Sequence, residues 1–292
     1  MHAEQLRVDE ELARKLLEEQ FPTWSSLAVE AVDSAATVNS IFRIGSRYVA
    51  RFPLHSTKVE DLESEAESFI EFSKVSQFPV PSPIAIGKQS NHYDSAWSIY
   101  EWLPGEVAKP EGLPDAGALA RDIVSLITSL RSADVKGRVF EGQGRGGDLA
   151  EHDSWVSECC VKSSHLVDSD RVWSLWERFR ELQRHSPDVM SHKDLTPFNL
   201  LISSNRLAGI LDCGNFGPAD PALDLVVAWH LFETADREII RRELDITDNE
   251  WSRGAAWALQ QAIGLVWYYE TSNPEMSRMG ISTIQRILDA EG

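Results

Sequence analysis

The sequence predicts an α+β protein, with a small β-rich N-terminal lobe followed by a larger, mainly helical C-terminal lobe. Short runs rich in β-branched and aromatic residues crowd the chain before Pro104-Gly105, and beyond Asp115 apolar residues recur at three- and four-residue spacing almost to the end. Pro104-Gly105 opens a stretch bearing Pro110 and Pro114 that reads as a linker, which sets the lobes at 1–103 and 104–292.

Along the chain, Asp9 is placed to cap a helix over 9–20 whose apolar Leu12, Leu16 and Leu17 share one face, and Pro22 ends it. Runs at 27–32, 41–44 and 48–52 read as strands, the last two forming a hairpin about Gly45-Ser46-Arg47. The Glu-rich segment 58–74 is apolar at Leu62, Ala66, Phe69 and Ile70 and reads as a helix. Pro79, Pro81 and Pro83 then break the chain before a further strand, and 97–103 is strand-like. In the second lobe Asp115 is the expected cap of a helix carrying Leu119, Ile123, Ile127 and Leu130. A second helix follows Asp170, with Val172, Leu175, Trp176, Phe179 and Leu182 on its apolar face. Residues 225–290 keep a helical period, broken near Ile246-Thr247 and Asn273-Pro274. One hairpin interrupts these helices, 199–202 with 207–211, around Ser203-Ser204-Asn205.

The 292 residues are 42% hydrophobic, enough to build a full core without disulfide or metal staples. Cys159 and Cys160 are adjacent and Cys213 stands alone. An odd count with a vicinal pair is a poor disulfide framework and points to a reducing compartment. We read Cys159 and Cys160 as helix-buried thiols, since the neighbouring His152 and His165 lack zinc-like spacing. The charged N-terminus builds no apolar signal segment and no run reaches the length of a membrane span, so the expected location is the cytoplasm, with no membrane partner. Against 28 basic side chains stand 46 acidic ones, a formal charge of −18. That balance disfavours nucleic acid as a partner and favours cationic ones, although its even spread also suits a plain solvated surface.

The chemistry concentrates in His192-Lys-Asp194-Leu-Thr-Pro-Phe-Asn199, two short apolar strands, and Ile210-Leu-Asp212-Cys-Gly214. Asp194 and Asn199 flank a loop, and Asp212 follows the second strand, so the hairpin can bring three oxygen-bearing side chains to one mouth. Phosphoryl transfer from a nucleotide needs such a set. One carboxylate orients the attacking hydroxyl, while an amide and a second carboxylate are hard ligands for Mg²⁺.

At these residues the chain resembles the aminoglycoside phosphotransferase family, which has a protein-kinase-like fold, and within it the branch of bacterial antibiotic-resistance kinases. The resemblance extends to Asp220-Pro-Ala-Leu-Asp224-Leu and, in the first lobe, to Val38-Asn-x-Ile-Phe-Arg-Ile-Gly45 and Val49-Ala-Arg51-Phe-Pro53. It implies Asp194 as the catalytic carboxylate, Asn199 and Asp212 as Mg²⁺ ligands, and Arg51 as the cation on the donor's α/β-phosphates. Glu65, or alternatively Glu67, would pair with Arg51. Tyr100 to Trp102 would be the hinge whose backbone reads the purine of ATP or GTP, and Ser34 and Thr37 would help the phosphate loop. The implied substrate is a small hydroxylated cationic molecule of aminoglycoside type, handled by a monomer or a dimer. The alternatives are a macrolide, another hydroxylated metabolite, or a nucleotide-binding pseudokinase or regulatory module.

The chain departs from the family's pattern at three places. Arg51 replaces the usual Lys but keeps the charge and adds a fork suited to phosphate. Lys193 stands where Gly is usual; a left-handed backbone there would strain it, and its ammonium would lie beside Asp194. The loop from Asp33 to Asn39 has no glycine. Other singled-out residues have plainer readings: His192 supports the loop, and Asp220 and Asp224 act as a cap and a brace. Trp155, Trp173, Trp176, Trp229, Trp251, Trp257 and Trp267 belong to the core of predicted helices. Tyr268 and Tyr269 are candidates for the substrate face, as are the acidic Glu151, Asp153, Glu233, Asp236 and Glu270.

Overall fold

In this computed structural model, residues 6–32, 38–109, 116–142 and 144–292 are described. The chain divides into two compact units: Met1–Lys74, Pro79–Pro104 and Gly209–Gly214 form the first, and Val75–Phe78, Gly105–Ala208 and Asn215–Gly292 the second.

The first unit opens with α1 (Glu10–Gln20), whose first turn is closed by the Asp9 carboxylate accepting from the Leu12 N–H at 2.8 Å. Strands β1 (Val29–Ala31), β2 (Asn39–Ile44), β3 (Tyr48–Pro53), β4 (Pro83–Gly87) and β5 (Trp97–Glu101) form an antiparallel sheet in the order β1-β2-β3-β5-β4. Helix α2 (Val59–Val75) lies between β3 and β4 in sequence. Strand alternation sorts the side chains. Ala50 pairs in register with Ile99, and with Phe52 and Trp97 they join Leu16 and Leu17 of α1 in one core. Arg51 and Tyr100 take the opposite face, where Tyr100 meets Phe69 of α2 at 4.7 Å between ring centroids. Phe52 and Trp97 stack at 4.7 Å, and Gly87, opposite Trp97, lets the indole lie directly on the backbone.

In the second unit β6 (Glu106–Val107) and α3 (Gly117–Ser132) precede α4 (Asp153–Ser163) and α5 (Ser169–Phe179). Strand β7 (Val189–Ser191) leads into the loop at 192–199, and the hairpin β8 (Leu200–Ser203) and β9 (Arg206–Ile210) follows it. Ser204 and Asn205 both take left-handed φ, 53° and 59°, the backbone a two-residue hairpin turn requires. β10 (Gly217–Ala219) pairs antiparallel with β7, Gly217 opposite Ser191. Helices α6 (Val226–Leu231), α7 (Thr234–Glu243), α8 (Asp248–Tyr268) and α9 (Pro274–Glu291) complete the unit. Asp122 of α3 binds the Arg206 fork through both oxygens at 2.6 Å and also accepts the Leu207 N–H at 3.0 Å, tying helix to hairpin.

Several sequence expectations are corrected. Asp115 lies outside the described residues, and Ala116, before α3, makes no side-chain cap bond. Asp168, not Asp170, sits at the start of α5, accepting from the Arg171 N–H at 3.1 Å. The C-terminal helices break once more at Phe232-Glu233, and the short strands β6, β7 and β10 carry too few residues for a periodic signal. Among the tryptophans, Trp176, Trp229, Trp251 and Trp257 are core, but Trp155 is 39% exposed. Its ring packs against Gly264, where a Cβ would come within 2.7 Å, and lies 6.4 Å from the Trp267 ring. Cys159 and Cys160 are buried on α4, and burial pushes both thiols up to about 11. No helix of the described residues is long and apolar enough to cross a membrane.

Two predictions follow from the packing. A Cβ at Gly87 would sit 2.1 Å from the Trp97 ring, so Gly87→Ala is expected to cost about 1–3 kcal/mol, measured by denaturant melts. His230 of α6 is fully buried between Thr283 Oγ1 at 2.9 Å and Gln261 Oε1 at 3.0 Å, and burial holds its pKa at about 4. Between the ordinary His value near 6.5 and that figure, the unfolded chain takes up the proton and the folded chain does not. Stability is therefore lost as pH falls through that window, by about 3 kcal/mol. The stability difference between wild type and His230→Gln is expected to shift by that amount between pH 7 and pH 4.

Candidate active site

In the first unit Arg51 is the focus. Its position on the central strand β3 faces it toward α2, where Nη1 meets Glu65 Oε1 at 2.6 Å; Nη2 reaches Asp212 Oδ1 at 3.2 Å. Glu67, the competing partner, is exposed. Burial lowers the Arg51 pKa, but the carboxylates of Glu65 and then Asp212 outweigh it, and the net direction is upward. Two features make room for this cluster. Asp212 adopts a left-handed φ of 55°, and Gly214 packs so closely on Glu65 that a Cβ there would be 2.6 Å from Glu65 Cγ.

The strand end that carries Tyr100 and Trp102 departs from the hinge expectation. The Glu101 N–H donates to Ser82 O at 2.9 Å and the Trp102 N–H to Arg47 O at 2.8 Å, so the sheet already uses both donors. Tyr100 turns its buried ring toward Phe69 and Arg51, and the Trp102 ring stacks under the Arg43 guanidinium at 4.9 Å. Ser34 and Thr37 lie outside the described residues.

In the second unit the loop after β7 is organised by a buried carboxylate. Asp224 accepts from Ser191 Oγ at 2.9 Å and from the backbone N–H groups of His192 at 3.1 Å and Lys193 at 3.3 Å. His192 is fully buried, and its Nδ1 accepts from the Asp194 N–H at 3.3 Å, a supporting role. Lys193 does take left-handed φ, 68°, but its ammonium does not lie beside Asp194. It runs instead toward Phe140, 5.8 Å from the ring centroid. Burial, with Arg138 adding to it, lowers its pKa despite Glu141 and Asp188.

Arg145 occupies the place beside Asp194. Its Nη2 lies 2.7 Å from Asp194 Oδ1, and Gln261 Nε2 donates to the same oxygen at 2.9 Å. Asn199 Nδ2 donates to Oδ2 at 3.1 Å and to the Asp194 carbonyl at 2.8 Å. Burial raises the Asp194 pKa, but Arg145, His192 and these hydrogen bonds pull it further down, so the group is held ionised. Asn199 spends its amide nitrogen on Asp194, which leaves its carbonyl oxygen as a hard donor. A carbonyl oxygen of that kind is a donor type suited to a small divalent cation such as Mg²⁺, and so, in the first unit, is the Asp212 carboxylate.

Arg145 and Gln261 were not found from the sequence. Each lies far along the chain from Asp194, Arg145 within the glycine-bearing run 142–147 and Gln261 in the middle of apolar α8; only its polarity in that helix marked it. Asp220 binds Arg253 Nη2 at 2.6 Å and Trp257 Nε1 at 2.9 Å and caps the Ala222 N–H at 3.0 Å, so it acts as both cap and brace. Of the acidic residues set aside for a cationic ligand, Asp153 is paired with Arg180, Glu233 with Arg286 and Glu270 with His165.

Residues 29–257 match the model of the phosphotransferase enzyme family. An aminoglycoside 3'-phosphotransferase of Escherichia coli is 30% identical over 144 residues, 47% of this chain and 53% of the relative. The chain thus spans about half the length of the curated relatives it matches. The structure of the GDP complex of wild-type aminoglycoside 2'-phosphotransferase-IIIa superimposes with a TM-score of 0.75 at 16% identity, covering 98% of this chain and 100% of that one. A macrolide 2'-phosphotransferase type I superimposes at 0.64 with 15% identity, over 97% and 98% of the two chains. These likenesses give the fold, a β-sheet unit and a helical unit of the same kinase-like type. With most of its length matched by the family model, the chain belongs to the phosphotransferase enzyme family.

Proposed function

We propose that the protein is a cytoplasmic, Mg²⁺-dependent small-molecule kinase that transfers the γ-phosphoryl of ATP or GTP to a hydroxyl of an aminoglycoside-like acceptor. The observation that carries this is the state of Asp194, an ionised carboxylate held by donors from the loop, from α8 and from the 142–147 run. Asp194 Oδ1 already receives two donors and Oδ2 one, so Oδ2 keeps the lone pair for the acceptor hydroxyl. There it aligns the attacking oxygen and takes its proton as the new bond forms.

On the donor side Arg51, pinned by Glu65, presents a fixed cation to the α/β-phosphates. The purine is read past the end of β5, where the Leu103 N–H follows the two donors consumed by the sheet. Asn199 and Asp212 would hold Mg²⁺, which when bound neutralises phosphate charge. The GDP bound by the structurally similar phosphotransferase supports a purine nucleotide donor.

A second reading, an acceptor with fewer positive charges such as a macrolide, is favoured by one observation. Asp153 and Glu233 already have arginine partners within the chain, and Glu270 is taken up by His165.

The test is mass spectrometry of aminoglycosides, macrolides and other hydroxylated compounds after incubation with enzyme, Mg²⁺ and ATP or GTP. One phosphoryl group is expected on one compound class. Asp194→Ala is expected to lose about 10³-fold in kcat while nucleotide affinity by calorimetry stays within about threefold. A variant that keeps most of its rate overturns the assignment.

A further inference from the structure

The loop that holds Asp194 has no cation of its own aimed at the reaction. Between His192 and Asn199 the one basic residue is Lys193, and its ammonium runs to Phe140. Phosphoryl transfer nevertheless spreads negative charge over the three equatorial oxygens of the group in transit, next to the carboxylate that aligns the acceptor. A cation near Asp194 has to come from elsewhere in the chain.

Arg145 is positioned to supply it. The backbone that follows it is fixed: Gly146 O accepts from the Asp220 N–H at 2.8 Å, and Gly147 O from Arg253 Nη2 at 3.3 Å. Gly146 takes φ 120°, and a Cβ there would lie 2.8 Å from Ala219 Cβ; one on Gly147 would lie 2.6 Å from the Phe140 ring. Asp220 is locked in turn by Arg253 and Trp257. The side chain is thus delivered from a tightly packed anchor. Among the described residues only Nη2 of the guanidinium is engaged, by Asp194, and the side chain is 21% exposed. A planar fork with donors to spare beside an ionised carboxylate matches the geometry of a phosphoryl group.

We propose that Arg145 is a catalytic residue: one nitrogen holds Asp194, and the remaining N–H donors hydrogen-bond the equatorial oxygens of the phosphoryl group as it passes. This rests on the kinase reading above. In the step, the bond from the γ-phosphorus to the bridging oxygen breaks and its electron pair leaves with the nucleoside diphosphate. The acceptor oxygen bonds to phosphorus, and its proton passes to Asp194 Oδ2 and then to solvent. Arg145 stays protonated throughout and stabilises charge only.

The test needs no acceptor. Binding of Mg²⁺ with ADP or GDP is measured by calorimetry with and without aluminium fluoride, which mimics the planar phosphoryl group. The wild type is expected to bind the fluoride complex about tenfold or more tightly than the diphosphate alone. Arg145→Gln is expected to keep diphosphate affinity within about threefold and lose that gain, with Arg145→Lys recovering part of it. Melting temperatures near wild type exclude a folding defect, and in turnover Arg145→Gln should lose about 10²- to 10³-fold in kcat at unchanged nucleotide KM. Asp194→Ala, with Arg145 in place, should retain the gain.

A full gain in Arg145→Gln, no gain in the wild type, or equal loss in Asp194→Ala overturns the proposal; the last would mean that Arg145 acts only through Asp194. A wild type that binds neither diphosphate removes the kinase reading and this proposal with it.

Discussion

A carboxylate with little or no water must be given donors, and the second unit is arranged around such groups, Asp220 and Asp224 fully buried and Asp194 partly so. Asp224 gathers Ser191 and two backbone N–H groups, Asp220 gathers Arg253, Trp257 and the Ala222 N–H, and Asp194 gathers Arg145, Gln261 and Asn199. Leaving buried Asp220 or Asp224 short would cost several kcal/mol, so each dictates its surroundings. Asp224 sets the path of the loop after β7. Asp220 fixes the run bearing Gly146, and through it the place of Arg145. The geometry at Asp194 is the end of both chains of constraint.

The same logic in the first unit produces a different result. Arg51 could have been a strained intrusion into a strand flanked by Ala50 and Phe52. The alternation of β3 turns it to the face away from that core, and Glu65 of α2 meets it there. Asp212 reaches the same cation only because its backbone accepts left-handed φ, which Asp tolerates better than most residues, and Glu65 fits because Gly214 has no side chain. The missing Cβ and the unusual φ therefore serve one ion cluster.

Lys193 illustrates how an unfavourable residue is accommodated. Its left-handed backbone costs about 1 kcal/mol or more, offset by N–H bonds to Ser191 Oγ at 3.0 Å and to Asp224. The Phe140 face and the nearby Glu141 and Asp188 draw its ammonium away from Asp194, leaving that side to Arg145. Gln261 is held from behind by His230 and Thr283, a run of hydrogen bonds through α6, α8 and α9 that only helix packing can assemble.

By itself the sequence determined what is local. Apolar spacing and breakers located α1, α2, α3, α8, α9 and the strands β2, β3 and β5 to within a few residues, because period and turn chemistry are written in consecutive positions. The run from His192 to Asn199, with Asp212 behind it, was enough to identify the family. The tertiary structure decided which side chains meet across long stretches of chain. Arg145 and Gln261 reach Asp194 from 49 and 67 residues away, and no spacing rule encodes that. It also decided that Gly209–Gly214 packs with the N-terminal sheet and that the Glu101 and Trp102 N–H groups belong to that sheet. The reason is physical: a helix or strand is specified by neighbours in the chain, whereas a charge's partner is specified by which surfaces exclude water together.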